Sequence, residues 1–170
     1  QYLAPLRYEF RLQNIPLFCD EATSPENTAP ARAVHAALDL LRGVSSRSVL
    51  RLLKTGLVDL PDTQQCALEN YAYTWPLTAA DWRGTFTRSA AGYAGRDTEQ
   101  DVQTLADAEA ARAFLMERVA AFAKKAAGAP AAALTKQLYL FLQSLGAEDA
   151  LNRLAAALRD RGRLPDADEV

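Results

Sequence analysis

The stretch LLKTGLVDLPDTQQCALENYAYTW, residues 52–75, decides the fold because it joins two helical patterns through a short loop. The first pattern ends inside this stretch. Its predicted N-cap is Ser45 or Ser46, since a hydroxyl there can accept a bond from a free backbone N–H. Its predicted C-terminal stop is Gly56, which can take the left-handed conformation that ends many helices.

The second helix of the pair is predicted to start near Asp62. Gln65 lies three residues further on, at the spacing of a capping box, and Pro76 follows the end of the helix. The apolar residues recur at the helical spacing i, i+4 and i+7, and are Leu68, Ala72 and Trp75. Two successive helices with a short connection predict an all-helical arrangement here.

The triplet Lys54-Thr55-Gly56 could be part of a phosphate-binding loop or the end of a helix. A phosphate-binding loop follows a strand and is rich in glycine, and neither feature precedes the triplet. As a helix end the triplet is well suited, because Leu57 can pack back and Lys54 lies at the negative end of the helix. We therefore interpret it as a cap.

The helical period continues on both sides of this pair. We predict further helices over residues 2–12, 30–43, 98–127, 130–146 and 147–162. Residues 77–97 are expected to be irregular and held by the burial of aromatic rings at Trp82, Phe86 and Tyr93. The predicted buried faces are Leu3, Leu6 and Phe10; Val34, Ala37, Leu38 and Leu41; Val102, Leu105, Ala108 or Glu109, Arg112, Leu115, Val119 and Phe122; Leu134, Leu138, Phe141, Leu142 and Leu145; and Leu151, Leu154 and Leu158.

One short strand is predicted over Ile15 to Cys19, an apolar run that contains β-forming residues. The fold class is therefore mainly α, a bundle-like domain of about six to seven helices with one short N-terminal strand. The loop composition of residues 21–30 places a boundary near residue 28. The predicted division is 1–28, a helix-strand piece; 29–164, a helical domain; and 165–170, a frayed tail.

The amino-acid composition argues against several classes of function. The chain has 170 residues, 19 basic and 21 acidic, so its net charge of −2 provides no overall attraction to nucleic acid or an anionic membrane. The two cysteines, Cys19 and Cys66, are far apart and lack metal-ligand spacing, which is typical of reduced thiols in a cytoplasmic protein. No apolar run approaches the roughly 20 residues of a membrane span.

The sequence has no pattern that predicts catalysis. It lacks G-x-x-x-x-G-K-[ST], G-x-G-x-x-G and G-x-S-x-G, and its single histidine, His35, has no neighbouring nucleophile or second ligand. The acidic residues are scattered along predicted surfaces rather than spaced to bind Mg²⁺. We expect no catalytic residue, no metal and no cofactor in this chain.

A local excess of basic residues is the best candidate for a binding surface. Between Glu26 and Asp59 there are five basic residues and one acid, a local net charge of +4. Arg47, Arg51 and Lys54 recur at i, i+4 and i+7, so they lie on one helical face. Such a stripe could follow a nucleic-acid backbone. The alternative is an ordinary solvated face.

The sequence resembles the B subunit of AddAB-type ATP-dependent helicase-nucleases. The resemblance covers roughly residues 5–160; the segments 10–24 and 135–146 contribute to it, the first as a helix followed by a strand. It is most specific where a leucine-rich helix ends in Leu-Lys-Thr-Gly-Leu and Leu-Glu-Asn-Tyr follows, with a tryptophan downstream. These signature residues, expected to be structural, are Lys54, Thr55, Gly56, Leu57, Leu68, Glu69, Asn70, Tyr71 and Trp82.

The resemblance implies a place within a larger protein. Members of the family assemble with an A subunit, process double-stranded DNA ends and support recombinational repair. Their B subunit has an inactivated helicase-like core and a nuclease with an iron-sulfur cluster. Neither Cys19 nor Cys66 matches a cluster ligand, so this chain is expected to be an internal, non-catalytic segment, the start of the second helicase-like domain followed by a helical insertion.

Two functions from different classes follow. The first is a non-catalytic segment of such a B subunit, which contacts DNA or the A subunit, with Arg47, Arg51 and Lys54 as the DNA contacts. The second is a free-standing helical scaffold for protein-protein interaction, which the alanine-rich helices would also suit. The unpaired strand Ile15 to Cys19 could also pair with a second copy of the chain.

Overall fold

The structure is a computed structural model that describes residues 2–17, 26, 28–93 and 97–162. This part of the chain contains eight α-helices and no strand, so the mainly α fold class is confirmed. The predicted number of helices is too low because a five-residue helix lies in the segment expected to be irregular. The helices are α1 Leu3–Leu12, α2 Ala29–Arg42, α3 Ser46–Leu53, α4 Asp62–Thr74, α5 Ala79–Arg83, α6 Glu99–Ala126, α7 Ala131–Ser144 and α8 Ala147–Asp160.

The core is built around the long helix α6. Helix α4 packs along α6, α2 packs against α3, and α7 connects α6 to α8. The largest side chains that are fully buried come from α3, α4, α5 and α6 and from the C-cap of α7, and are Val49, Leu52, Leu68, Trp82, Leu115 and Leu145. Because α3 and α4 both contribute to this core, the outer face of α3 has a fixed orientation.

Hydroxyl caps set four of the eight helix starts in the described residues. Thr28, Ser45, Thr78 and Thr98 each accept a bond from a backbone N–H in the first turn of α2, α3, α5 and α6. The predicted capping box at Asp62 is wrong. Pro61 precedes α4, Asp62 is its first helical residue, and no side chain caps this end.

The predicted strand is also wrong at the positions that the structure describes. Asn14 adopts a left-handed conformation, with φ of 52°, and ends α1. The Ile15 N–H donates to the Phe10 carbonyl, as in a Schellman motif, and Ile15–Leu17 have no secondary structure. A strand needs a partner for its backbone hydrogen bonds, and the described residues provide none. Phe18 and Cys19 lie outside the described residues, and pairing with a second copy stays a prediction.

The buried faces of α2 and α8 differ from those predicted. Helix α2 buries mainly its alanines rather than the Val34 and Leu41 side, and α8 leaves Leu154 exposed. Small side chains let neighbouring helices approach closely, so alanine can form the contact face although leucine is more apolar. The buried residues are Ala33, Ala36, Ala37 and Leu40 in α2, and Ala147, Ala150 and Ala155 in α8.

The predicted faces of α4, α6 and α7 are largely confirmed. Leu68, Ala72 and Trp75 are buried on α4, and Phe141 and Leu145 are buried at the end of α7. On α6 the stripe from Ala108 to Phe122 is buried, but Val102 is exposed because it lies in the first turn.

The segment between α4 and α6 is held by two of its three aromatic rings. Trp82 and Phe86 are buried, and their ring centroids lie 5.6 Å apart. The predicted burial of Tyr93 is wrong, because this side chain is 85% exposed; its ring touches Trp75 with a centroid distance of 4.5 Å. None of the helices in the described ranges is long and apolar enough to cross a membrane.

The predicted division of the chain into 1–28, 29–164 and 165–170 stays a prediction. Among the described residues, α1 contacts none of the other helices. The tail 165–170 lies outside the described residues.

Candidate nucleic-acid interface

Helix α3 presents the predicted basic stripe to solvent. Its start is fixed by a capping box in which the Ser45 and Ser48 side chains each bond to the other residue's backbone N–H. Its inner face is anchored by Val49, Leu52 and Leu53, among other buried residues. The opposite face is therefore held outward, and it carries arginines at positions 47 and 51, with a lysine at the C-cap.

Arg51 is paired with an acidic residue from the neighbouring helix. Its Nη1 lies 2.7 Å from Oδ2 of Asp39 on α2, and Arg42 lies 3.8 Å from the other carboxylate oxygen of Asp39. This pair is partly exposed, so it is screened by salt and adds little to stability. It nevertheless neutralises part of the positive charge of Arg51.

Lys54 is paired in the same way with α4. Its Nζ lies 2.5 Å from Oε1 of Glu69 and donates to the Tyr73 hydroxyl at 3.2 Å. These hydrogen bonds, with Glu69 the larger cause and Tyr73 the second, raise the pKa of Lys54 above its ordinary value of 10.5. Lys54 is therefore fully charged at neutral pH.

Arg47 differs from the other two members of the stripe. It is exposed and has no ion pair or hydrogen bond among the residues that the structure describes. Arg32, in the first turns of α2, is exposed and likewise lacks a partner within the described residues. These two arginines leave their guanidinium donors available to an anion.

The stripe lines one wall of a groove between α2, α3 and α4. The groove has a volume of about 510 Å³, and Arg32, Arg47, Arg51 and Lys54 all line it together with Tyr73. Four cations and the two carboxylates paired with them leave a local charge of +2. The structure thus brings the three predicted residues to one surface.

Arg32 and Tyr73 are the members of this surface that sequence reasoning missed. Arg32 belongs to the same basic stretch of sequence, but it precedes α3 by a whole helix. Tyr73 follows the Leu-Glu-Asn-Tyr motif by two residues and lies on the outer side of α4. Only the packing of α2 and α4 against α3 shows that these side chains meet the stripe.

The turn after α3 confirms the cap interpretation of the Lys54-Thr55-Gly56 triplet. Gly56 has φ of +74°, and Leu57 is buried behind it. The buried Thr55 hydroxyl donates to the Leu52 carbonyl at 2.6 Å and accepts from the Leu57 N–H at 3.3 Å. The triplet therefore ends the helix through its own hydrogen bonds.

Other signature residues join α3 and α4 to the segment that follows. The Trp82 indole N–H donates to the Ser46 hydroxyl at 3.1 Å, and the Tyr71 hydroxyl accepts from the Arg88 N–H at 3.1 Å. Leu68 is fully buried. Asn70 is exposed, and its carbonyl accepts from the Thr74 hydroxyl at 2.8 Å. These contacts fix the scaffold on which the groove is built.

The other chemical groups of the chain do not form a cluster in the described ranges. No set of three or more His, Cys, Asp or Glu side chains there could hold a metal ion. Cys66 is a free, exposed thiol, and His35 is exposed on α2. Cys19 lies outside the described residues.

Fold and surface together define an α-helical module with a basic groove. No protein-family model matches the chain. Curated relatives do match: the chain is 28% identical to the B subunit of the ATP-dependent helicase/deoxyribonuclease of Alkaliphilus metalliredigens (strain QYMF), over 94% of this chain. The B subunits of the same name from Clostridium botulinum (strain Loch Maree / Type A3) and Heliobacterium modesticaldum (strain ATCC 51547 / Ice1) are 26% and 29% identical over 94% and 90% of the chain.

These matches confirm the resemblance that the signature residues indicated. The chain is similar along most of its length to a segment of the B subunit of these ATP-dependent helicase/deoxyribonucleases. It spans 13–15% of the length of the relatives it matches. What the whole protein does therefore belongs to the proposal that follows.

Proposed function

We propose that this chain is a non-catalytic helical segment of a helicase-nuclease B subunit and that its basic groove contacts the backbone of DNA. The observation that carries this proposal is the groove itself, because four cations from α2 and α3 line it in a chain with a net charge of −2. Clustered guanidinium and ammonium groups suit phosphate oxygens. The similarity to the B subunit of helicase/deoxyribonucleases supports the same assignment.

The wider role proposed for the parent protein is the processing of double-stranded DNA ends in recombinational repair, in assembly with an A subunit. Support comes from the name of the relatives, which combines helicase and deoxyribonuclease. The chain has no nucleotide-binding or nuclease motif in its sequence. Its proposed contribution is to hold DNA while other parts of the protein do the chemistry, without a cofactor of its own.

Arg47 is the residue that tests this proposal most directly. Because it has no partner among the described residues, Arg47→Glu breaks no ion pair of that region and reverses one charge on the groove. Binding to a short DNA duplex should weaken, and the slope of log K against log salt should become shallower by about 1. Fluorescence anisotropy between about 50 and 200 mM salt measures both quantities.

Lys136→Glu is the matched control. Lys136 is exposed on α7, away from the groove, and has no ion pair or hydrogen bond within the described ranges. The substitution makes the same change in net charge, so general electrostatic repulsion affects both variants alike. Equal loss of affinity in the two variants would contradict a DNA contact in the groove.

A second candidate function, contact with a protein, is favoured by α1. Leu6 and Leu12 are exposed on this helix, and α1 contacts no other helix among the described residues. Exposed apolar side chains of this kind are typical of protein interfaces. If α1 contacts the A subunit, Leu12→Asp should reduce co-purification of the two subunits, whereas Tyr139→Asp on α7 should not.

A further inference from the structure

Tyr73 is placed unusually for a residue of a phosphate-binding surface. Its ring is 67% exposed and lines the edge of the groove beside the basic residues. Lys54 lies 5.6 Å from the ring centroid and donates to the ring hydroxyl, so the ring is held at the groove. A phosphate does not stack on such a ring, whereas a nucleobase does.

The floor and walls of the groove also differ in character. Leu50 and Ala72 line it on α3 and α4, while Arg32 and Arg47, which have no partner among the described residues, line it on α2 and α3. Sites that bind single strands combine aromatic rings, on which bases stack, with basic groups that contact phosphates. In a duplex the faces of the bases are already stacked on one another and are not accessible to Tyr73.

An acidic peptide fits these observations less well. It could bind the arginines, but it would leave the exposed ring of Tyr73 without a function. A groove of about 510 Å³ lies within the range of sites that hold a ligand of nucleotide size. The combined chemistry therefore favours a base and its phosphates over a chain of carboxylates.

We infer that the groove between α2, α3 and α4 is a binding site for single-stranded DNA, in which a base stacks on Tyr73 and the flanking phosphates bind Arg32 and Arg47. This rests on the proposed DNA contact and specifies its ligand. The phosphate contacts are independent of base identity, and every base has a face that can stack. The site therefore binds single strands with little sequence preference.

The test compares three fluorescently labelled probes of about 12 nucleotides: oligothymidine, the same length of abasic strand, and a duplex. The wild-type chain should bind oligothymidine more tightly than the abasic strand. Tyr73→Leu should weaken oligothymidine binding about tenfold, and Tyr73→Phe should retain it, because phenylalanine keeps the ring. Tyr73→Leu should weaken duplex and abasic binding much less than it weakens oligothymidine binding.

The matched control is Tyr139→Leu. Tyr139 is exposed to nearly the same extent, 62%, but lies on α7 outside the groove. This variant should bind all three probes as the wild type does. Far-UV circular dichroism on each variant checks that the fold is intact, which is expected because both tyrosines are exposed.

Each remaining outcome decides between the two proposals. If Tyr73→Leu leaves oligothymidine binding unchanged while Arg47→Glu weakens duplex binding, the base-stacking site is wrong and the backbone contact stands. If Tyr73→Leu weakens the three probes equally, stacking is likewise wrong. If the wild type binds none of the probes at low salt, both the site and the proposed DNA contact are wrong.

Discussion

Gly146, between α7 and α8, shows how one residue can hold two parts of the chain together. It has φ of +80°, and a Cβ added there would lie 2.5 Å from Cβ of Asp59. Next to it the Asp59 N–H donates to the Leu145 carbonyl at 2.7 Å, and the Asp59 carboxylate binds Arg153 on α8 at 2.7 Å. Only glycine allows this approach at an unstrained backbone.

Gly146→Ala is therefore expected to cost more stability than a positive φ alone explains. The left-handed conformation costs an alanine about 1–2 kcal/mol. The contact with Asp59 should add about 1–3 kcal/mol, because a backbone-adjacent atom must move. Urea denaturation of the variant measures the sum. Gly128→Ala is the control, since Gly128 has φ of +69° and no atom near its Cβ position. Equal losses of stability in the two variants would show that Asp59 moves without cost.

Arg112, which is buried, and Glu109, which is partly buried, form an ion pair on α6. Arg112 is 7% exposed and donates to both oxygens of Glu109 and to the Trp82 carbonyl. Glu109 also accepts from the Phe86 N–H at 2.9 Å. Burial alone would raise the pKa of Glu109, but the bonds from Arg112 and Phe86 outweigh it, so the pKa lies below its ordinary value of 4.5.

The direction of this pKa shift sets the pH range in which the ion pair stabilises the folded state. Because the pKa is lower in the folded state, the stabilisation is present above about pH 4.5 and is lost as the pH falls through the folded-state pKa. Glu109→Gln should cost about 1–3 kcal/mol at pH 7, and the difference from wild type should shrink at lower pH. Thermal unfolding between pH 3 and pH 7, in steps of about 1, measures it.

Glu117→Gln on the same helix is the control for loss of a carboxylate. Its side chain is 83% exposed and lies 3.8 Å from Arg118, so the loss at pH 7 should be well under 1 kcal/mol. A pH-independent difference between the Glu109→Gln variant and the wild type would contradict the argument from the pKa.

At the scale of the helix, the sequence predicts where a helix begins and ends better than it predicts which face of the helix is buried. The cap at Ser45 and the stop at Gly56 are local, because a hydroxyl or a left-handed glycine acts within one turn. Which face of a helix is buried depends on the helices that pack against it. In α2 the packed face consists mainly of alanines and does not include Val34 or Leu41. The error at Asp62 is local, since Pro61 takes the N-cap position and has no N–H for the Gln65 side chain to accept from; the Gln65 amide donates to the Leu60 carbonyl.

Close helix packing at alanine positions is itself testable on α6. Ala111 is completely buried, so Ala111→Leu should force the surrounding helices apart and cost about 1–3 kcal/mol. Ala120 lies on the same helix but is exposed, and Ala120→Leu should change stability by less than about 0.5 kcal/mol. Urea midpoints at constant m-value report both effects. Similar midpoints for the two variants would mean that α6 has room at Ala111.

At the scale of the whole molecule, the candidate surface could be predicted only in part. The spacing of Arg47, Arg51 and Lys54 predicts that they share a face, because that spacing is a property of one helix. The carboxylates of Asp39 and Glu69, which neutralise two of them, come from other helices. Contacts between helices depend on packing, which no local pattern of sequence shows.

Because Asp39 pairs with Arg51, we expect the Asp39 carboxylate to lower the affinity of the groove for DNA. In Asp39→Asn the groove loses one negative charge, and Arg51 is free to meet a phosphate. Duplex affinity should rise about threefold at low salt, and the salt slope should steepen by up to about 0.9. Asp160→Asn, an exposed position at the end of α8, removes the same charge away from the groove. An equal gain in both variants would show that net charge alone is responsible, whereas a gain confined to Asp39→Asn would place Arg51 at the bound backbone.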